Sequence, residues 1–346
     1  MVAARTLRMG SLCTGMGTCH MGMRVLSRCN EHIKVIHKFA VDNNPDCIKV
    51  IQHNFGNSIE SIILSSVSSL DITALPTVDL LAAGFPCQPW SSANPKRKGV
   101  TDPRASVIVH ILKYIQQRKP KLIILENVCG FAYKYKSVMD AVVSKLEING
   151  YSVSWKILDS KKFGCVPQSR RRWYLVAVLS MDAVSGDLSS CWPTQLPTPA
   201  LASILENQPQ VSLPSAPKAK EKVLKVLRGL KQRGLDPRTM DDLVVNCNSI
   251  GGRPSRPHTP CLTASRGASR GFWIISQCRM MTRGELMKLQ GMHPTLFEWG
   301  DVSQVKSGHM IGNAFTLSVF TRVVAAMLPA SGLVEHVIDP YTRIMQ

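Results

Sequence analysis

The chain has 346 residues, 45% of them hydrophobic, and this suits one large α/β domain with a smaller companion. Lysine and arginine total 42 against 23 acidic residues, a formal charge of +19, which fits a polyanionic partner whose counterions basic side chains release, or a heavily solvated surface. No apolar run stands out at the roughly 18 residues of a membrane span, and the N-terminal residues lack the apolar core of a secretory signal. The expectation is therefore a soluble intracellular protein without a membrane partner.

In chain order, strands are predicted at 8–13, 36–41, 80–83, 122–125, 153–158 and 173–178, with helices such as 46–54, 106–118 and 137–149 between them. That alternation predicts a doubly wound, mostly parallel α/β sheet, Rossmann-like, with ligands at the carboxyl ends of the strands. The pattern changes near 180. Six prolines (193, 197, 199, 209, 214 and 217) fall between Trp192 and Pro217. A basic stretch, 221–233, then sets Val223, Leu227 and Leu230 at helical spacing, with Lys222, Lys225, Arg228 and Lys231 mostly elsewhere. It reads either as a solvated helix or as an element that contacts a nucleic-acid backbone. Residues 251–270 are rich in Gly, Pro and Ser and carry Arg253, Arg256, His258, Arg266 and Arg270. Apolar helical patterning returns at 315–328. The 11 cysteines contain no C-x-x-C pair, so neither a zinc site nor a disulfide scaffold is expected, and no metal at all.

Four motifs carry chemistry. Ser11-Leu-Cys-Thr-Gly15-Met-Gly17 follows a strand, and its glycines allow a sharp turn and close approach to a ligand. A strand-to-helix turn without a ligand reads the same way. Asp42 ends the next strand, where a carboxylate can accept from both ribose hydroxyls; Asp71 could accept from an adenine amino group. Gly84-Phe-Pro-Cys-Gln-Pro-Trp-Ser91 brings Cys87 to the ligand edge of the sheet on a loop stiffened by Pro86 and Pro89. Leu125-Glu-Asn-Val128 places Glu126 and Asn127 at the same edge. There a carboxylate is a cap or salt-bridge partner, or grips a heterocycle. In Pro167-Gln-Ser-Arg-Arg-Arg-Trp173, the alternate residues Gln168, Arg170 and Arg172 share a face if the segment is extended.

Together these motifs resemble the cytosine-C5 DNA methyltransferases, in that family's order along the chain. The resemblance continues through 279–291, Gln304 and Ile311-Gly-Asn-Ala-Phe315, and covers roughly 8–180 and 258–328. It implies a class I methyltransferase fold and methyl transfer from S-adenosylmethionine to cytosine C5 in double-stranded DNA. Cys87 would attack C6 of a flipped-out cytosine. Glu126 would hold N3 and the exocyclic amine, and Arg172 with Arg170 would bind O2. The cofactor would lie along Cys13, Gly15, Gly17, Asp42, Asp71, Pro86, Val107 and Asn313. Gln88, Asn127, Gln168, Arg97 and Lys98 would meet the substrate, the last two from a mobile segment past the catalytic loop.

Cys13, Thr18, Asn43 and Ala314 depart from the family's usual residues, which implies a reshaped cofactor pocket. A catalytic domain of 1–182 completed by 304–346 would enclose a target-recognition domain of 183–303. A monomer is expected, in the nucleus of a nucleated cell or otherwise in the cytoplasm with the nucleoid. Two other readings stay open. One is a transfer-RNA cytosine-C5 methyltransferase, although Cys129-Gly-Phe131 stands where that branch has Cys-Phe-Thr. The other is a catalytically weak DNA-binding homologue.

Overall fold

The computed structural model describes residues 4–342 except 182, 185–186, 208–211 and 250–253. Pro209 and Arg253 lie outside the described residues. The described chain divides into two units, one of Met1–Leu158, Arg171–Gln195 and Leu317–Gln346, the other of Asp159–Arg170 and Leu196–Thr316.

The first unit opens with β1 (Arg5–Leu12), α1 (Thr18–Cys29), β2 (Ile33–Asp42), α2 (Pro45–Phe55), β3 (Ile59–Leu64) and β4 (Leu80–Ala83). It continues through α3 (Val107–Arg118), β5 (Leu122–Val128), α4 (Cys129–Lys134), α5 (Lys136–Ile148), β6 (Tyr151–Asp159) and β7 (Arg171–Leu179). The second unit holds α6 (Ser160–Phe163), α7 (Pro217–Gln232), β8 (Val244–Asn246), β9 (Pro254–Ser255), α8 (Ala264–Ala268), β10 (Phe272–Ile274), β11 (Arg279–Met280), α9 (Arg283–Leu289) and α10 (Gln304–Asn313). The chain then returns to the first unit as α11 (Leu317–Ala330).

The seven strands of the first unit form one sheet in the order β3-β2-β1-β4-β5-β7-β6. Pairing is parallel from β3 to β5, and β7 runs antiparallel to β5. Strands β4 and β5 are apolar on both faces, as strands covered by helices on each side require. Leu81, Ala83, Ile123, Leu125, Trp173 and Leu175 point to the face packed by Ile108, Ile111 and Ile115 of α3 and by Met139, Val142 and Leu146 of α5. Elsewhere in the unit α11 packs against α1 and also touches β5. Sequence order reverses between β1 and β4, and such a switch point opens a crevice at the carboxyl ends of the strands. The doubly wound α/β expectation is met. The edge strand β3 was not predicted.

A buried polar network underlies the turn after β1. His20 Nδ1 lies 2.7 Å from His37 Nδ1, and His20 Nε2 lies 2.8 Å from Ser11 Oγ, which in turn is 2.7 Å from Thr14 Oγ1. His37 faces inward because the β1–β2 register slips beside it: Met9 pairs with His37 and Gly10 with Phe39. One Nδ1 donates to the other, and burial favours the neutral form of both rings.

The second unit is built on a four-stranded antiparallel sheet, β11-β10-β8-β9. Val223 and Leu230 of α7 pack on it with Leu243, Val245, Trp273 and Ile275. Helices α8 and α10 cross backbone to backbone: a Cβ on Gly267 would lie 1.9 Å from Gly308 O. The expected division at 182/183 and 303/304 differs from the observed one, which places Asp159–Arg170 and residues 304–316 in the second unit. The packing of α10 on α8 holds the latter segment there. The stretch Gln304–Ala330 is an exception to the absence of a membrane-length apolar run, with a mean hydropathy of 1.5 in its most apolar window. It is divided at Ala314 into α10 and α11, and 83% of that window is buried.

Burial lowers the pKa of both histidines, His20 far down and His37 to about 4. The unfolded chain takes up these protons first, so stability is full above the unfolded value and falls as pH drops toward the folded ones. Thermal unfolding between about pH 7 and 5 should show a falling midpoint, and His37→Gln should flatten that decline. Parallel profiles for the two proteins would show that the pair does not titrate.

Candidate active site

The glycine turn leaves β1 at the switch point. Gly15 sits at φ +60, a conformation glycine adopts without strain, and open space lies where a side chain would stand. Its amide donates to Asp42 Oδ2 at 2.7 Å, while Asp42 Oδ1 accepts from the amide of Asn44 at 2.9 Å. Burial pushes the Asp42 carboxyl up, and these backbone bonds oppose it. Cys13 also has positive φ, at 55°, and burial raises its thiol. Gly17, with φ +85, caps α1 and rests on the Phe55 ring. Thr18 is buried, with no partner for Oγ1. Asp71 lies exposed on the far side of β3 in sequence. Its Oδ1 accepts from both the amide and hydroxyl of Thr73, which holds the carboxyl below its usual range.

The loop after β4 carries Pro86, Cys87 and Gln88, all half-buried. Ala83 pairs with Leu125 in parallel register, so the Cys87 loop and Glu126 leave adjacent strands at one edge. An aromatic cluster seats both sides of the cysteine. Phe85 meets Phe131 edge-on at 5.2 Å, and Trp90 meets Phe131 at 5.3 Å and Tyr135 at 5.1 Å. Trp173 closes the cluster, 5.0 Å from Phe131. Each such pair adds about 0.5–1.5 kcal/mol beyond area burial. The loop also folds on itself, with the Cys87 carbonyl accepting from the amides of Trp90 and Ser91.

Glu126 is buried on β5 and ion-paired with Arg172 of β7 at 3.3 Å. Glu126 pairs with Tyr174 across the ladder, so Arg172, two residues before Tyr174, takes the diagonal place on the same face. Past the loop, Arg97 reaches back to the Asn94 carbonyl and Lys98 is exposed. Asp102 holds Arg104 through two side-chain bonds, 2.9 and 2.7 Å long, and those bonds bring the Asp102 carboxyl down to about 2. Asp102 chiefly, and Cys87 more weakly, favour the charged form of Arg104. Val107 is buried in the core at the start of α3.

Three expected contacts with substrate are corrected. Arg170 is 2% exposed, and its guanidinium donates to the carbonyls of Leu262, Gly312 and Ala314. Gln168 is fully buried; its Nε2 donates to Leu289 O at 2.7 Å and its Oε1 accepts from the Leu262 amide. Both lie ahead of β7 in the second unit, so the predicted alternation with Arg172 fails. Asn127 is buried and donates to Phe85 O at 3.0 Å, bracing the Cys87 loop instead of facing outward. Asn313 ends α10 in the second unit, 3.3 Å from His309 Nδ1. Among the described residues no group of three or more His, Cys, Asp or Glu could hold a metal ion.

Sequence reasoning missed Asp102, Arg104, Gly130 and the aromatic seat of Phe131 and Tyr135. The one readable signal was the Asp-x-Arg spacing just before α3. Gly130 leaves no room for a side chain beside the Cys87 loop: a Cβ there would lie 2.4 Å from the carbonyl oxygen of Trp90. Gly130→Ala should therefore destabilise the first unit by about 1–3 kcal/mol in urea unfolding. An unchanged midpoint would show that the loop yields freely.

A family model described as C-5 cytosine-specific DNA methylase matches residues 7–328. The chain is 34% identical over 177 residues to the type II methyltransferase M.NgoBV of Neisseria gonorrhoeae, covering 49% of this chain and 39% of that protein. It is 30% identical over 327 residues to M.NgoBI of the same organism, 92% of each chain. In fold it is similar to the methyltransferase EhMeth of Entamoeba histolytica, with a TM-score of 0.64 at 20% identity over 94% of this chain and 98% of that one.

Proposed function

Because the chain belongs to the C-5 cytosine-specific DNA methylase family, we propose that it methylates C5 of cytosine in double-stranded DNA, with S-adenosylmethionine as donor. The observation that carries this reading is the ion pair between Glu126 and Arg172, on the strand next to the Cys87 loop. An acid and a cation so joined can grip N3, the amino group and O2 of one pyrimidine.

The glycine turn suits the donor. Open space at Gly15, an amide tied to a carboxylate, and a place at the switch point fit an adenosyl group with a ribose. Gly15, Gly17, Asp42 and Pro86 would hold it. Asp71 would offer Oδ2, since Thr73 takes Oδ1. S-adenosylmethionine, when bound, supplies an electrophilic methyl group.

The chain's own residues do the rest. Cys87 attacks C6 of the cytosine as a thiolate. Glu126, taking up a proton as the base binds, passes it to N3 while accepting from the 4-amino group, so electrons displaced from the C5–C6 double bond move toward N3. Arg172 steadies the charge that gathers toward O2. C5, now an enamine carbon, takes the methyl group. Water then takes the C5 proton, the electron pair of that C–H bond re-forms the C5–C6 double bond as the C6–sulfur bond breaks and the thiolate leaves, and N3 returns its proton to Glu126. Extrusion of the base from the helix costs roughly a few kcal/mol. Arg97 and Lys98 meet phosphates beside the extruded base, and replacing both with alanine slows turnover.

Duplex oligonucleotides containing 5-fluorocytosine test the reading, because fluorine at C5 blocks the last elimination. Wild-type protein with S-adenosylmethionine should give a band that survives denaturing electrophoresis, and Cys87→Ala should give none. Glu126→Gln should lower turnover about a hundredfold or more. A band with structured RNA alone would move the substrate to RNA. No band from protein that still binds DNA would favour a silent homologue.

A further inference from the structure

We infer that the exposed face of α7 is a docking surface for the phosphate backbone of duplex DNA and is blind to base sequence. The inference rests on the DNA reading above and assigns a surface which that reading does not use.

Burial fixes the orientation of this helix. Val223 and Leu230 pack into the second unit's core, and Lys222 is drawn inward to the Cys247 carbonyl at 2.8 Å. Lys218, Lys220, Lys225, Arg228 and Lys231 are exposed, joined by Arg233 just past the helix. At about 100° per residue the five helical cations fall within roughly half the circumference, opposite Val223 and Leu230. Glu221 is the one carboxylate within Pro217–Gln232.

Two comparisons separate this face from an ordinary solvated one. Two other exposed arginines of the unit are neutralised, Arg238 at 2.9 Å from Asp236 and Arg256 at 3.1 Å from Asp242, although exposed Arg270, among the described residues, is not. Among the described residues, none of the six cations on or beside α7 has an acidic side chain within ion-pair distance. Lys225, Arg228 and Lys231 also follow one another at three-residue spacing, where like charges destabilise a helix. An array of phosphates would relieve that repulsion.

The dimensions suit a duplex. A 16-residue helix is about 24 Å long, close to seven base-pair steps of roughly 3.4 Å. The face carries no aromatic side chain on which an unpaired base could stack. Cations spread along the whole length fit a continuous backbone better than a single small anion.

The test is the salt dependence of binding, measured by fluorescence anisotropy on the full chain. Two duplexes serve as probes, one rich in cytosine and one of A·T pairs only, at roughly 0.05 to 0.3 M salt. In the triple variant K220Q/R228Q/K231Q the slope of log K against log salt should be shallower by about 2 to 3, and in each single variant by about 1, equally on both duplexes. Trapping through Cys87 at saturating DNA should be unchanged. An unchanged slope would make the face a solvated one and overturn the inference. So would weakening confined to one duplex, which signals base readout, or weakening seen with structured RNA alone. If the slope falls as expected but the parent chain forms no adduct, the surface stands and the methyl-transfer reading fails.

Discussion

The parallel register that seats β4 between β1 and β5 is the constraint on which the site depends. Leu12 pairs with Ala83, and Ala83 with Leu125, so β1 and β4 end at one level where β5 runs on to Val128. The glycine turn and the Cys87 loop therefore leave the sheet together, beside Glu126, which stays paired with Tyr174. A slip of one residue in either pairing would exchange the two buried faces of the strand, upset the packing on each and carry a functional loop with it. The reversal of β7 matters equally. Because it runs antiparallel to β5, its first residues lie beside the last residues of β5, and Arg172 meets Glu126. A parallel strand would begin at the opposite edge.

Support for the cysteine comes from beneath and from one side. Phe131 and Trp173 receive Phe85 and Trp90, which bracket Cys87 in sequence, and the Asn127 amide holds the Phe85 carbonyl. A nucleophile on a loop loses rate if the loop wanders, and a rigid second layer limits that loss. The same logic gives Gly130 its role, since no side chain fits between it and the Trp90 carbonyl.

Much of this was legible in the sequence, for identifiable reasons. Strands β4 and β5 are short apolar runs ending in chemically marked residues, so the edge positions of Cys87 and Glu126 follow from local pattern. The basic helix was readable because Val223, Leu227 and Leu230 keep helical spacing. The failures have separate causes. Gln168 and Arg170 were grouped with Arg172 by alternation, but their partners at Leu262, Leu289, Gly312 and Ala314 lie far along the chain. Those long-range bonds override the local period. β3 escaped notice because an edge strand such as Ile-Glu-Ser-Ile-Ile-Leu needs little apolar pattern. The pairing of His20 with His37 depends on a register slip that no spacing rule reveals.

The order of the segments along the chain sets a condition on how the protein is made. The first unit is interrupted twice: its sheet takes β7 after the short excursion Asp159–Arg170, and its helical layer takes α11 only after the long excursion Leu196–Thr316. On a ribosome that adds about 5–20 residues per second, the strands through β6 wait for most of the chain before Leu317–Ala330 can cover α1 and β5. The second unit, by contrast, has its last helix by Asn313. During synthesis the half that carries Cys87 is thus the later of the two to close, and its apolar strands are the surface a nascent-chain chaperone would need to shield.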